Sequence, residues 1–420
     1  VLSTSLVDMY VKCGKMKRAQ EIFDEMPKRN IISWSVMIAG YSEHGLPDEA
    51  LRCFRKMQYE GISPNAITFS CILKACRSHT EFLQVGEEID AEIRKQGLLA
   101  KDIVLGNALI DMYVKCGMIE KAKDIFIEIP EKDVVSWSTL ISGYAEHGFA
   151  NEALNCFKNM CNAGISPNVF TFSTVLKACG IIGNIKMGKE IHNEVKRKQL
   201  LEKDSMLGNV LVDMYAKCGL LGKAQEIFEG LRVKDIVSWS ALIAGYTHNG
   251  LYDEALKCYL KMQNEGISPN EYTFSCVLKA CASIRSLEMG EDIYAEVCKN
   301  GLLEKDIVLG NSLVDMYSKC GLLGKAQEVF DKLKVRNVVS WNTLIAGYVS
   351  HGHGKEALMY FKEMNHKDEG VFPNPVSFLC ALKACGIVRD IEQCEEIHAE
   401  ISRQGLLRTN VQLGSTLLDV

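Results

Sequence analysis

The stretch IISWSVMIAGYSEHGLPDEALRCFRKMQYEGISPN, residues 31–65, decides the fold, because it reads as two short helices separated by turns. Its first apolar run ends at Gly45, and glycine is the usual residue just after a helix. Pro47 suits the first turn of a second helix, where a missing backbone N–H costs nothing. That helix would end at Gly61, and Pro64 prevents it from continuing. The stretch therefore predicts one helix hairpin.

The second helix of this hairpin has one apolar face, because Ala50, Phe54 and Met57 recur at i, i+4 and i+7. A hairpin of this size cannot bury that face alone, so it must stack against similar units. No segment of the chain alternates apolar and polar residues long enough to predict a strand. We therefore expect an all-α chain, an α-solenoid superhelix of stacked helix-turn-helix repeats.

Copies of the hairpin recur along the chain with a period of about 102 residues, as the spacing of the tryptophans shows. The tryptophans are Trp34, Trp137, Trp239 and Trp341. Each period contains three related units, named here SW, TFS and LGN after their motifs. The SW units are 31–65, 134–168, 236–270 and 338–374; the TFS units are 66–102, 169–204, 271–306 and 375–410; the LGN units are 1–30, 103–133, 205–235 and 307–337, with a partial unit at 411–420. We predict a single array over 1–420 in place of the roughly three domains that length suggests.

Composition sets broad limits on function. Hydrophobic residues make up 47% and charged residues 24% of the 420 residues, which is typical of water-soluble globular proteins. No apolar stretch approaches the roughly 18 residues of a membrane-spanning helix. The formal net charge of −5 would at first argue against a nucleic-acid partner, but part of the acidity belongs to glutamate-rich second helices that we expect to face outward, so the charge excludes no such partner. The start at Val1, without an initiator Met, indicates a piece of a longer protein, and both ends are expected to fray.

The seventeen cysteines include no C-x-x-C pair and recur at two fixed places, in KCG and in KAC. The KCG residues are Cys13, Cys116, Cys218 and Cys320, and the KAC residues are Cys76, Cys179, Cys281 and Cys385. A cysteine at one place in each repeat is most simply a small apolar packing group. We therefore expect free thiols in a reducing compartment.

Unit lengths of 35, 36–37 and 31 residues, with the motifs VVSWSTLISGY, GISPN, TFSTVLKAC and LGNALIDMYVKCG, resemble the long-and-short (PLS) class of pentatricopeptide repeat proteins. The resemblance covers all 420 residues. It implies single-stranded RNA binding, one base per unit, in mitochondria or plastids, without a cofactor. It also implies a role in choosing cytidines for C-to-U editing, with a deaminase domain or an editing co-factor protein as a further partner.

The resemblance further implies that two residues in each unit read the base: the residue after the tryptophan-like position and the last residue of the unit. In the SW units these are Ser35 with Asn65, Ser138 with Asn168, Ser240 with Asn270, and Asn342 with Asn374; in the LGN units they are Thr4 with Asn30, Asn107 with Asp133, Asn209 with Asp235, and Asn311 with Asn337. All of these residues are Ser, Thr, Asn or Asp.

The hydrogen-bonding groups of these residue types fit base edges. Uracil and guanine present a ring N–H, which suits an Asp carboxylate, whereas adenine and cytosine present a ring nitrogen acceptor, which suits an Asn amide. Ser or Thr leaves room for a purine, and the longer Asn favours a pyrimidine. The predicted order is A-A-x-U-A-x-U-A-x-Y-Y-x, read 5′ to 3′, where Y is a pyrimidine. The x positions belong to TFS units, where Ser70, Ser173, Ser275 and Leu379 read weakly or not at all.

Two further rows of residues are candidates for RNA contact. Apolar residues three positions before the first reading residue would sandwich bases in the family's manner, or else pack inside each hairpin. They are Ile32, Val104, Val135, Met206, Val237, Val308 and Val339. The KCG lysines would track phosphates, or else lie at solvated helix ends that favour cations. They are Lys12, Lys115, Lys217 and Lys319.

The sequence offers no active site. H-x-E occurs at His192 with Glu194 and at His398 with Glu400, as in zinc deaminases, but no P-C-x-x-C follows to complete a metal site. Deaminase activity would therefore need a further domain after Val420.

The alternative to an RNA reader is a tetratricopeptide-like scaffold for proteins, which we expect to vary its concave residues over Arg, Lys and apolar types. Restriction to four small polar types favours RNA.

Overall fold

The computed structural model describes residues 2–77, 80–202, 205–367, 371–408 and 410–419. Val1, Val420 and part of the HKDE insertion that lengthens the fourth SW unit lie outside these ranges. The described residues form α-helices and short 3-10 turns and contain no strand, so the all-α prediction is confirmed. None of these helices combines the length and the apolar character needed to cross a membrane.

The chain divides into two compact units, Val1–Val210 and Leu211–Val420. Helices that begin in the first unit are α1 Leu2–Lys12, α2 Met16–Glu25, α3 Ile31–Glu43, α4 Pro47–Tyr59, α5 Ala66–Cys76, α6 Leu83–Lys95, α7 Ile103–Lys115, α8 Ile119–Glu128, α9 Val134–Glu146, α10 Ala150–Asn162, α11 Val169–Ile182, α12 Ile185–Arg197 and α13 Ser205–Lys217. Those of the second unit are α14 Leu221–Gly230, α15 Ile236–His248, α16 Tyr252–Asn264, α17 Glu271–Ile284, α18 Leu287–Lys299, α19 Ile307–Lys319, α20 Leu323–Lys332, α21 Val338–Ser350, α22 Gly354–Lys367, α23 Pro375–Val388, α24 Ile391–Arg403 and α25 Val411–Asp419.

Odd-numbered helices are the first helices of the repeats, and they pack on one another in succession. In the first compact unit α1, α3, α5, α7, α9 and α11 form this layer, and in the second α15, α17, α19, α21, α23 and α25 form it. Most even-numbered helices, such as α4, α8, α10, α16 and α20, pack against the first helix of their own repeat and that of the next one. Each compact unit is therefore a stack of helix hairpins, as expected of an α-solenoid. The prediction of one continuous array stays a prediction.

The hairpin at residues 31–65 shows why the repeat folds this way. Its helices are separated at Gly45 and end at Gly61, whose φ angles of +69° and +74° lie in the left-handed region that glycine adopts without strain. Ala50, Phe54 and Met57 are buried, as their spacing predicted. The helix–turn–helix prediction is confirmed.

The tryptophan of each SW unit joins that unit to the preceding LGN unit. Trp137 packs edge-on against Phe126 of α8, with ring centroids 4.7 Å apart. The corresponding pairs are Phe23–Trp34, Phe228–Trp239 and Phe330–Trp341. Such pairs contribute about 0.5–1.5 kcal/mol beyond the burial of their area. The tryptophan is therefore a packing residue between repeats.

The two cysteine rows differ in their surroundings. All four KAC cysteines are buried, and burial raises the pKa of Cys76 to about 12, so its thiol stays protonated. In the KCG row Cys116 is buried, Cys218 and Cys320 are half-buried, and Cys13 is exposed. The packing role expected for this row stays a prediction at Cys13, whose side chain is exposed.

A glycine in the first helix of each SW unit allows the preceding LGN helix to approach closely. A Cβ atom on Gly143 would lie 2.6 Å from Cγ2 of Val114, and one on Gly347 would lie 2.8 Å from Cβ of Ser318. Real Cβ atoms do not come this close to other atoms, so α9 and α21 need glycine here for steric reasons.

We expect Gly347→Ala to lower the free energy of unfolding by about 1–3 kcal/mol, because the new methyl group forces α19 and α21 apart. Urea denaturation followed by circular dichroism measures this. The matched control is Gly324→Ala in the neighbouring helix α20, where a Cβ would meet nothing within 4 Å. That variant should be as stable as the parent or slightly more stable. Equal stability of the two variants would contradict the steric explanation.

Candidate nucleic-acid interface

The last residue of each SW and LGN unit caps the first helix of the next unit. The first N–H groups of a helix have no partner within it, so a side-chain oxygen must accept from them. Oδ1 of Asn65 accepts from the backbone N–H of Thr68 at 2.9 Å, and Oδ1 of Asp133 accepts from that of Ser136 at 2.9 Å. The full set of such caps is Asn30, Asn65, Asp133, Asn168, Asp235, Asn270, Asn337 and Asn374.

Capping determines which atom of each residue stays available to a ligand. An Asn must turn its oxygen toward the capped N–H, so its Nδ2 donor points elsewhere. In Asp133, Oδ1 accepts from Val135 N at 3.0 Å, from Ser136 Oγ at 3.0 Å and from Asn107 Nδ2 at 3.2 Å. The hydrogen bonds found among the described residues leave Oδ2 of Asp133 unused. Asn caps therefore offer a donor, and Asp133 offers an acceptor.

The charge state of Asp133 supports the acceptor role. Desolvation by burial raises the pKa of its carboxyl, but hydrogen bonds from the backbone and hydroxyl of Ser136, from the amide of Asn107 and from the backbone of Val135 lower it by more. The net result is a pKa below its ordinary value. The carboxylate is therefore ionised at neutral pH, as hydrogen bonding to a base N–H requires.

In three SW units a threonine links the two predicted reading residues. Ser35 Oγ lies 2.8 Å from Thr68 Oγ1, which in turn donates to Asn65 Oδ1 at 2.9 Å. The same chain is formed by Ser138, Thr171 and Asn168 and by Ser240, Thr273 and Asn270. Because each threonine is the third residue of the following helix, the reading pair is held across the junction between two repeats.

Two pairs that begin with Asn touch directly. Asn107 Nδ2 donates to Asp133 Oδ1 at 3.2 Å, and Asn342 Nδ2 donates to Asn374 Oδ1 at 3.1 Å. Like the threonine bridges, these hydrogen bonds restrict the rotation of the capping side chain. The structure therefore brings together five of the eight predicted pairs, three through threonine and two directly.

The remaining three pairs differ. No hydrogen bond between the described residues links Thr4 to Asn30 or Asn311 to Asn337. Asn209 belongs to the first compact unit and Asp235 to the second. Apart from Thr4, the first residue of every pair is only 4–9% exposed. The capping residue is thus the more accessible member of each pair.

Caps at the end of TFS units have a different backbone conformation. Asp102 and Asp306 cap α7 and α19 with ψ angles of 100° and 104°, whereas ψ lies within about 7° of 180° at every predicted reading cap. A rotation of this size turns the side chain to a different direction. The weak or absent reading expected of TFS units stays a prediction.

The predicted base-sandwiching residues are all at the surface, each as the second residue of a first helix. Their exposed fractions run from 48% for Met206 to 64% for Val104. Such exposure is inconsistent with the alternative of packing inside a hairpin. The TFS units also carry an exposed apolar residue at this position, which was not predicted from the sequence. These residues are 50–64% exposed: Ile67, Phe170, Tyr272 and Val376. Counting from each unit start would have found them, because they too occupy the second helical position.

The KCG lysines are not free cations. Lys12, Lys217 and Lys319 pair with the aspartate four residues earlier, at 2.7–2.8 Å. Lys115 pairs instead with Glu146 at 2.7 Å, because Arg77 occupies Asp111. A phosphate would have to compete with these carboxylates, so the phosphate role that the sequence suggested for this row stays a prediction.

Neither H-x-E motif lies in a metal site. Across the described part of the chain, no three His, Cys, Asp or Glu side chains are grouped closely enough to hold a metal ion. His398 lines a surface cavity with Cys385, Cys394 and Asp390.

Family models and known proteins add an independent comparison. The model described as the PPR repeat family matches residues 29–78, 132–180, 234–283 and 336–386, and the PPR repeat model matches residues 1–31, 107–134, 170–200, 209–236 and 311–338. These matches together cover more than half of the chain.

Individual relatives include two pentatricopeptide repeat-containing proteins of Arabidopsis thaliana. One, named chloroplastic, is 33% identical over 96% of this chain and 46% of its own length. The other, named mitochondrial, is 36% identical over 92% of this chain and 55% of its own length. The chain thus spans about half the length of these relatives. A solved structure, that of the pentatricopeptide repeat protein PPR10 with an 18-nucleotide psaJ RNA element, covers 96% of this chain and 74% of its own at 19% identity and a TM-score of 0.45.

We expect Thr68→Val to lower the free energy of unfolding by about 1 kcal/mol relative to Thr68→Ser. Valine keeps the shape of threonine but removes the hydroxyl that links Ser35 to Asn65, whereas serine keeps it. Thermal denaturation of the two variants measures the difference. If Thr68→Val were the more stable of the two, the hydroxyl bridge would not support the reading pair.

Proposed function

This chain belongs to the pentatricopeptide repeat family, and from that premise we propose that it binds single-stranded RNA with about one base for each repeat. The exposed edges of single-stranded bases are where such modules find sequence information. Stacking of a base on an aromatic side chain contributes about 1–3 kcal/mol, and an exposed aliphatic side chain offers an apolar contact of the same kind. The exposed apolar residue at the start of each first helix is suited to that contact.

One observation carries the proposal: capping fixes the hydrogen-bonding character of the last residue of each reading unit. Asn65 is left with an amide donor, and Asp133 is left with a carboxylate acceptor. Adenine and cytosine accept at their ring nitrogen, and uracil and guanine donate there. A wrong base would leave a polar group unpaired, which costs about 1–3 kcal/mol. This supports the predicted order A-A-x-U-A-x-U-A-x-Y-Y-x.

We further propose that the repeats are the non-catalytic targeting module of an organellar RNA-processing or C-to-U editing factor of the PLS class. The relatives named chloroplastic and mitochondrial support an organelle, and the unit lengths support the class. In this proposal the repeats select the transcript, and a deaminase domain or an editing co-factor protein performs the reaction. The site residues need no cofactor.

The substitution Asn65→Asp tests base reading with the least disturbance. Aspartate already caps α9 and α15 at 2.9 Å in this chain, so the cap should survive. We expect the preference at the second base of the RNA AAAUAAUAACCA to change from adenine to guanine. Because Ser35 still leaves room for a purine, the ratio of the two affinities should change by roughly 5- to 150-fold. Fluorescence anisotropy with A or G at that position measures it.

The matched control is Asn168→Asp, which should produce the same change at the fifth base and none at the second. An unaltered preference at both bases, with RNA still bound, would show that the caps do not read. Failure of the parent protein to bind any single-stranded RNA would refute the proposed function. A scaffold for proteins would then be the better hypothesis.

A further inference from the structure

The TFS units carry a row of lysines that no role described above uses. One lysine occurs in the LKAC motif of each TFS unit, at Lys74, Lys177, Lys279 and Lys383. Their separations are 177 − 74 = 103, 279 − 177 = 102 and 383 − 279 = 104 residues, so they follow the period of the array. All four side chains are exposed.

These lysines differ from the KCG row in having no carboxylate partner. Every KCG lysine lies within 2.8 Å of an aspartate or glutamate oxygen. The ion pairs formed among the described residues include none of the four LKAC lysines. The TFS row is therefore the row of uncompensated positive charge on the first helices.

The equivalent helix position differs in charge between the three unit types. It is the ninth residue of the first helix, where the SW unit has Ala39 and the LGN unit has Asp111. The aspartate is neutralised by a cation, Arg77 in the case of Asp111 and the lysine four residues later in the case of Asp315. A strand that follows the first helices would thus meet unpaired positive charge once in three units.

The lysine lies on the same helix face as the exposed apolar residue at the second position. Ile67 and Lys74 are seven residues apart on α5, which corresponds to two turns and about 10.5 Å along the axis. The same separation joins Phe170 to Lys177 on α11. Between them lies Ser173, whose hydroxyl is buried without a hydrogen-bond partner in the described structure. This face offers an apolar contact and a cation but little that reads a base edge.

We propose that the LKAC lysines bind backbone phosphates of the RNA, so that the TFS units hold the strand without reading it. The inference rests on the RNA-binding function proposed above. It assigns the salt-dependent part of the affinity to the TFS units and base selection to the capping residues of the SW and LGN units.

The test uses the full chain with all four lysines changed to glutamine, K74Q/K177Q/K279Q/K383Q, and the RNA AAAUAAUAACCA. For single strands the slope of log affinity against log salt is about −0.7 for each neutralised phosphate. We expect the slope to become less steep by about 3, while the adenine preference at the second base is unchanged. The corresponding four Lys→Arg changes should keep the parent slope.

A control with the same change in net charge places the substitutions on second helices, K56Q/K158Q/K299Q/K362Q. These exposed lysines lie on α4, α10, α18 and α22, in the other helix layer. Charges separated by more than a Debye length of about 10 Å are largely screened, so the slope should change much less.

The lysine assignment is wrong, and RNA binding stands, if the parent binds RNA selectively but the two glutamine sets change the slope equally. The same holds if neither set changes the slope. If the parent binds no RNA, both proposals fail together.

Discussion

Unpaired N–H groups at the start of a helix are the constraint on which the rest of this structure depends. The first helix that follows each SW or LGN unit needs an oxygen acceptor, and the last residue of that unit supplies it. Asn65 and Asp133 are therefore held in place by the backbone that they cap. The same contact orients the side chain, so that the stability of one helix and the hydrogen-bonding character offered to a ligand come from a single interaction.

The constraint also distinguishes the repeat types. In SW and LGN units the capping residue is extended, with ψ near 180°. Asn65 is left with an amide donor and Asp133 with a carboxylate acceptor. At the end of TFS units Asp102 caps with ψ of 100°, and its side chain takes another direction. The TFS units keep a lysine without a carboxylate partner on an exposed helix face. In the function proposed above, base reading and strand holding are divided among repeats that share one fold.

Much of this could be predicted from sequence, because turns and periodicity are local. The two helices of the hairpin at residues 31–65 could be predicted from Gly45, Pro47 and Gly61, and the starts of the other units could be predicted from the repeat. The atoms of Asn65 and Asp133 that capping leaves available were not predicted, although Asn65 followed by Thr68 is a recognisable capping pattern. Ion pairs between repeats could not be predicted from the sequence, because they depend on how the repeats stack. Arg77, for example, pairs with Asp111, which lies 34 residues further along the chain. The sequence alone therefore does not show which of the two lysine rows pairs with carboxylates.

The capping role of the last residue has an evolutionary consequence. Asn and Asp are nearly equal as helix caps, so an exchange between them leaves the repeat about as stable as before. Their codons differ by one nucleotide. Under the proposed reading role, such a chain would acquire a new target sequence one base at a time, through point mutations that change its stability little. Many proteins with different targets would then arise from one stable scaffold.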